Sequence, residues 1–131
     1  LNRDEAELAE YRLTRARETL DDARLLLERE RLPAAANRIY HAMFYAVAAL
    51  LTTKRLASSR HTGVISLFHR EFVKTGMFPS DLARTIDAAF DERLESDYGD
   101  YVRLVRADLE ELLASARQFV AKAEELVGAA D

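Results

Sequence analysis

The run Ile39–Leu51 limits the possible folds of this chain more than any other feature. It reads Ile39-Tyr40-His41-Ala42-Met43-Phe44-Tyr45-Ala46-Val47-Ala48-Ala49-Leu50-Leu51, apolar nearly all round and broken only by His41. A helix without a polar face must be covered on most sides. Its alanines let neighbouring helices come close. The run is shorter than the roughly 20 residues a membrane span needs, so a buried central helix is predicted, with no membrane segment.

The rest of the chain supplies the covering helices. Only four glycines and two prolines interrupt 131 residues, which favours long helices over many short strands. Leu13, Ala16, Leu20, Ala23 and Leu27 recur at helical spacing and predict a first helix from about Asp4 to Arg31. Pro33 suits the first turn of a second, reaching Thr53. Lys54–Arg60 reads as a loop. Thr62 is a plausible N-cap for a third helix ending near Gly76, with Val64, Ile65, Phe68 and Phe72 inward. Gly63 in its first turn implies a close approach of backbone or ligand. A fourth helix is expected from Pro79–Ser80 to about Glu95, with Leu82, Ile86, Ala89 and Phe90 inward. Ser96–Tyr101 reads as a connector. The last helix runs from about Leu104 to Val127, with Val105, Leu109, Leu112, Ala116, Phe119, Ala123 and Leu126 inward and Gly128 after it. The expectation is one all-α domain over residues 1–131, an antiparallel up-and-down bundle of four or five helices.

Several chemistries are excluded. The absence of cysteine removes disulfides and thiolate metal sites. His41, His61 and His69 fit neither His-x-x-x-His nor Glu-x-x-His spacing, so no metal site and no cofactor are expected. No glycine-rich phosphate loop and no Gly-x-Ser-x-Gly elbow occur. The polar N-terminus shows no signal peptide, and a cytoplasmic location is expected.

Charge is unevenly spread. Net charge is −4, yet Lys54, Arg55, Arg60, Arg70 and Lys74 face Glu71 alone between residues 54 and 74, with His61 and His69 among them. From residue 81 to 100, seven acids oppose Arg84 and Arg93. The basic stretch reads either as a phosphate or RNA contact or as self-association and solvated helix faces. The sixteen arginines suit bidentate phosphate recognition, although GC-rich coding yields the same excess. His41 in the apolar helix reads first as a hydrogen-bonded core residue. Asn37 and Arg38 need partners if they face inward, and Asp97 or Asp100 are the candidates.

Taken in order, Ala36-Asn37-Arg38-Ile39-Tyr40-His41-Ala42-Met43-Phe44-Tyr45-Ala46, His61-Thr62-Gly63-Val64-Ile65-Ser66-Leu67-Phe68, Phe72–Gly76, Asp97-Tyr98-Gly99-Asp100-Tyr101 and the helix through Ala116 and Phe119-Val120 resemble the small prokaryotic proteins of the HEPN family. The resemblance implies a four- or five-helix antiparallel bundle, commonly a homodimer, often paired with an MNT-type nucleotidyltransferase as toxin and antitoxin. Many family members are metal-independent RNases with an Arg-x4–6-His motif, the histidine transferring protons and the arginine holding phosphate. Here the spacing occurs once, from Arg55 to His61, which makes these two the candidate catalytic pair. It falls earlier than the resemblance implies. At the later position stands Arg93-Leu94-Glu95-Ser96-Asp97-Tyr98, with tyrosine in place of histidine, and tyrosine is a poor base at neutral pH. Arg38, Arg60, Arg93, Asp97 and Tyr98 are the candidate ligand and phosphate contacts. Three functions stay open: a module binding nucleotide, RNA or a protein partner, an RNase toxin, and a plain homodimerisation domain.

Overall fold

The computed structural model describes residues 1–98 and 103–130, and for residues 94–98 only the helical backbone. Among the described residues the chain forms five α-helices: α1 (Arg3–Glu28), α2 (Leu32–Thr53), α3 (His61–Phe68), α4 (Ser80–Tyr98) and α5 (Arg106–Ala129). A single π-helical turn, His69–Val73, extends α3.

The central helix is α2, which packs against each of the other four. Ala35, Ala36, Ile39, Tyr40, Ala42, Met43, Ala46, Val47, Ala49 and Leu50 are all fully buried. α1 lies antiparallel along it, because Arg12 donates to Thr52 Oγ1 (2.7 Å) and to the Ala48 carbonyl (3.3 Å), while Arg15 reaches back to Tyr45. α5 runs antiparallel to α1: Arg17 pairs with Glu124 (3.5 Å), and Arg106, at the opposite end of α5, pairs with Glu30. Small residues line the close contacts, with Ala9, Ala16 and Ala23 on α1 and Ala116 and Ala123 on α5 fully buried. Aromatic mass fills one end of the core, where Phe78 lies 4.7 Å from Phe119 and 5.0 Å from Phe68, ring centroid to centroid.

The helix ends are closed in different ways. Asn2 caps α1 through its side-chain oxygen, which accepts from the Glu5 amide at 2.8 Å. α1 and α2 both end on a residue in the left-handed region, Glu30 (φ 58°) and Arg55 (φ 56°). Beyond them Arg31 N–H reaches the Leu26 carbonyl, and Leu56 N–H reaches the Leu51 carbonyl. This is the back-bonded termination usually given to glycine, so neither side chain type announces it.

Some expectations are corrected. Thr62 does not cap α3: the capping position is Arg60, with no side-chain bond, and Thr62 lies in the first turn. α4 continues to Tyr98, so Ser96–Tyr98 are helical and not part of a connector. Val105 sits at the N-cap of α5, 49% exposed, and Leu113 and Val120 fill the buried face instead. Gly128 lies within α5, one residue before its end. The close approach foreseen at Gly63 is real and internal: a β-carbon there would collide with the Ser58 side chain.

Replacing Phe119 by alanine removes a ring packed against Phe68 and Phe78. The expected cost is about 3–5 kcal/mol of unfolding free energy, measured by urea denaturation. Val105→Ser, which places a capping hydroxyl at the exposed N-cap of α5, should raise the unfolding free energy by about 0.5–2 kcal/mol.

Candidate functional site

The middle of α2, where His41, Phe44 and Tyr45 are half-buried, gathers most of the chemistry. Tyr40 is fully buried and faces α3 and α4, with its hydroxyl 3.4 Å from His61 Nδ1. His61, the first residue of α3, is exposed and stacks on Phe44 at 4.0 Å between centroids with planes 23° apart. Phe90 of α4 packs against the Tyr40 ring at 5.5 Å. One turn of α4 further on, the Arg93 guanidinium lies over the same ring at 5.2 Å, a cation–π arrangement. His41 completes the group, 5.8 Å from His61 and edge-on to it.

The electrostatics follow from this packing. Burial pushes His61 below the ordinary imidazole value, and the positive charge of Arg93 pushes the same way. Burial also lowers His41, reinforced by Arg38, Arg93 and His61 and opposed by its bond to the Asn37 carbonyl. That carbonyl only accepts, so His41 Nδ1 carries the proton in the 2.9 Å bond. Burial raises the Tyr40 phenol, and Arg93 opposes the rise. At neutral pH the site therefore holds two neutral imidazoles, a neutral phenol and a guanidinium. Such a set can stack on a base, bind phosphate and exchange protons near neutrality.

The sequence-derived candidates are distributed as follows. Arg55 gives its guanidinium to Glu5 (2.7 Å) on the far end of α1, while the His61 ring is engaged by Tyr40 and Phe44. Arg60 is exposed immediately before α3. Arg38 donates to Asn37 Oδ1 at 2.8 and 3.2 Å, so these two neighbours partner one another. The Asp97 and Tyr98 side chains, and Asp100, lie outside the described residues. Much of the basic stretch is neutralised internally: Lys54 bonds the Glu71 carbonyl at 2.7 Å and lies over the Phe72 ring, and Arg70 pairs with the Glu71 carboxylate at 3.1 Å.

Sequence reasoning did not join Tyr40, Phe44, His61 and Arg93. Two of the four, His61 and Arg93, are readable as separate candidates, whereas nothing in the local sequence ties them to Tyr40 and Phe44. Phe44 lines a small pocket of about 110 Å³ with Arg12, Leu56 and Val64, and two further clefts lie along α4. A groove of about 270 Å³ between α3 and α4 is lined by Thr62, Ile65, Ser66, Ile86, Asp87 and Phe90. A wider cleft of about 420 Å³ between α4 and α5 carries Asp81, Glu92, Asp108 and Glu111 against Arg84. Its acidity disfavours phosphate, so the larger opening is not where anion chemistry is placed. Among the described residues no helix is long and apolar enough to cross a membrane.

These features define an antiparallel helical bundle with an arginine–histidine–aromatic cluster at the junction of α2, α3 and α4. A family model described as HEPN domain matches residues 9–126. The chain is 44% identical over 120 residues to a UPF0332 protein of Thermotoga maritima, covering 92% of this chain and 91% of that one. Two proteins of Methanocaldococcus jannaschii, named "Putative toxin MJ0142" and "Putative toxin MJ0605", are 33% and 35% identical over 84% and 75% of this chain, covering 75% and 73% of their own lengths. The chain belongs to the HEPN domain family, as the resemblance read from the α2 and α3 segments implied.

The lowered His41 value has a consequence for stability. Between the folded value and the ordinary value of about 6.5, the unfolded chain binds the proton more readily, so stability rises with pH through that window and is lost on acidification. Urea midpoints should fall from pH 7.5 to pH 5, and His41→Gln should flatten that fall. An equal fall in the variant would show that other groups set it.

Proposed function

We propose that this chain is the HEPN member of a toxin–antitoxin or nucleotidyltransferase pair. In that role its Tyr40–Phe44–His61–Arg93 cluster binds the phosphate and base of a nucleotide or RNA. The observation that carries this is an exposed imidazole held flat on Phe44 at 4.0 Å with the charge of Arg93 acting on it. A ring so held offers a stacking face, and a guanidinium beside it offers charge to phosphate. The relatives named as toxins support the paired context. The partner would be an MNT-type nucleotidyltransferase, and the chain would act as a homodimer.

A second reading is favoured by one observation. His61 is accessible and held below its ordinary titration range, so it is neutral near pH 7 and able to take a proton from a ribose hydroxyl. In this reading the protein is a metal-independent RNase. Arg55 holds the phosphate only after leaving Glu5, whereas Arg93 already lies against the cluster.

Binding of labelled single-stranded RNA should weaken at least about tenfold in His61→Ala and Arg93→Gln. Wild-type affinity should rise as pH falls from 7.5 to 5.5, because protonation adds charge at His61 and His41, and His61→Ala should reduce that rise. Unchanged affinity in both variants would remove the cluster from the binding site. Cleavage in excess EDTA that is lost in His61→Ala establishes the RNase reading. Parallel loss in Arg55→Ala or in Arg93→Gln then identifies the phosphate-holding arginine. Binding without cleavage leaves a non-catalytic module.

A further inference from the structure

The aromatic and basic groups do not stop at His61. Arg15 of α1 donates to the Tyr45 hydroxyl at 3.2 Å and lies over the Tyr45 ring at 5.1 Å. Tyr45 stands one turn from His41 on α2, centroids 6.4 Å apart, and His41 is 5.8 Å from His61. One turn before Arg15, on the same face of α1, Tyr11 is 61% exposed. Rings and a guanidinium thus alternate from Tyr11 across α1 and α2 to the start of α3.

The partners of the arginines separate this face from the rest of the surface. Arg3, Arg17, Arg24, Arg55, Arg70, Arg84 and Arg106 each bond a carboxylate. Arg12, Arg15 and Arg38 are instead held by neutral groups: a hydroxyl and a carbonyl, a phenol, and an amide oxygen. Their side chains are positioned, and among the described residues no acid is bonded to them. Glu18, one turn from Arg15, is the acid whose field reaches it. An arginine fixed without a bonded acid, between the exposed Tyr11 and the half-buried Tyr45, suits a flexible polyanion with stacking bases.

We propose that Tyr11, Arg15, Tyr45 and His41 form a stacking track for single-stranded RNA that leads into the His61 site. Bases stack on the Tyr11 and Tyr45 rings, and phosphates face Arg15 and Arg38. This rests on the nucleotide-binding reading of the His61 cluster. It adds that the ligand is a strand several nucleotides long, because the track takes in residues of α1, α2 and α3 in succession.

The test compares uridine monophosphate, a six-nucleotide uridine RNA and an abasic strand of equal length, by calorimetry on the full chain. The six-nucleotide RNA should bind at least about tenfold more tightly than either of the others. Tyr11→Ala should lower its affinity roughly tenfold and leave that of uridine monophosphate unchanged. Tyr45→Phe, which keeps the ring, should retain more affinity than Tyr45→Ala. Tyr11 is exposed, so circular dichroism of the variant should match wild type. Equal affinity for monophosphate and RNA overturns the track but not the His61 site. So does RNA affinity indifferent to Tyr11→Ala. If Tyr11→Ala instead converts a dimer to a monomer in sedimentation without changing RNA affinity, a second copy covers this face and the track is wrong. If no nucleotide or RNA binds, the site reading falls and the track falls with it.

Discussion

The structure depends on covering a helix that has no polar face. α2 buries alanine after alanine, and each fully buried alanine is a place where another backbone can come near. Close approach multiplies van der Waals contacts that are individually small, while water leaves the apolar surface. The covering helices answer with small residues at the contacts and longer side chains between them. α1 contributes Ala9, Ala16 and Ala23 between Leu13, Leu20 and Leu27, and α5 contributes Ala116 and Ala123 around Phe119 and Val120. The antiparallel arrangement follows, since short connections bring α1 and α2 side by side with opposite directions.

The candidate site lies where the cover is incomplete. α1 and α5 extend over more than twenty residues each, but α3 runs only from His61 to Phe68 before its π turn. At that junction α2 presents aromatic rings in place of alanine. Tyr40 is closed off by α3 and α4, whereas His41, Phe44 and Tyr45 stay half-buried. Partial burial is what lowers the two histidines and keeps them near the outside. The same gap that leaves apolar surface uncovered thus holds the imidazoles below their ordinary titration range and leaves His61 accessible.

The periodic positions of α1 and the all-round apolarity of α2 were legible because they reflect local repeat and composition. Helix ends were less so. Arg55 and Glu30 occupy left-handed positions without being glycine, and α4 runs through Ser96 and Asp97 although both residue types favour turns. The Arg55–His61 spacing could be read from the chain, but the partner of Arg55 is Glu5, fifty positions earlier. No local pattern carries that information. The union of Tyr40 with His61 and Arg93 is likewise tertiary. His41, which reads from the sequence as a core residue, lies half-buried in this same turn of α2.

Net charge proves a poor guide to where an anion would bind. The basic stretch from Lys54 to Lys74 looks cationic in one dimension, yet Arg55 is paired with Glu5, and Lys54 and Arg70 share Glu71. Ion pairs at the surface contribute little to stability, but they cancel field where they form. What matters for a polyanion is the set of cations left uncancelled and held still. Arg12, Arg15 and Arg38 meet that condition through a hydroxyl, a phenol and an amide. They lie on α1 and α2, outside the stretch that composition singled out. An overall acidic protein can therefore carry a phosphate-attracting face, because among the described residues Arg12, Arg15 and Arg38 are held by neutral partners while seven other arginines bond acids.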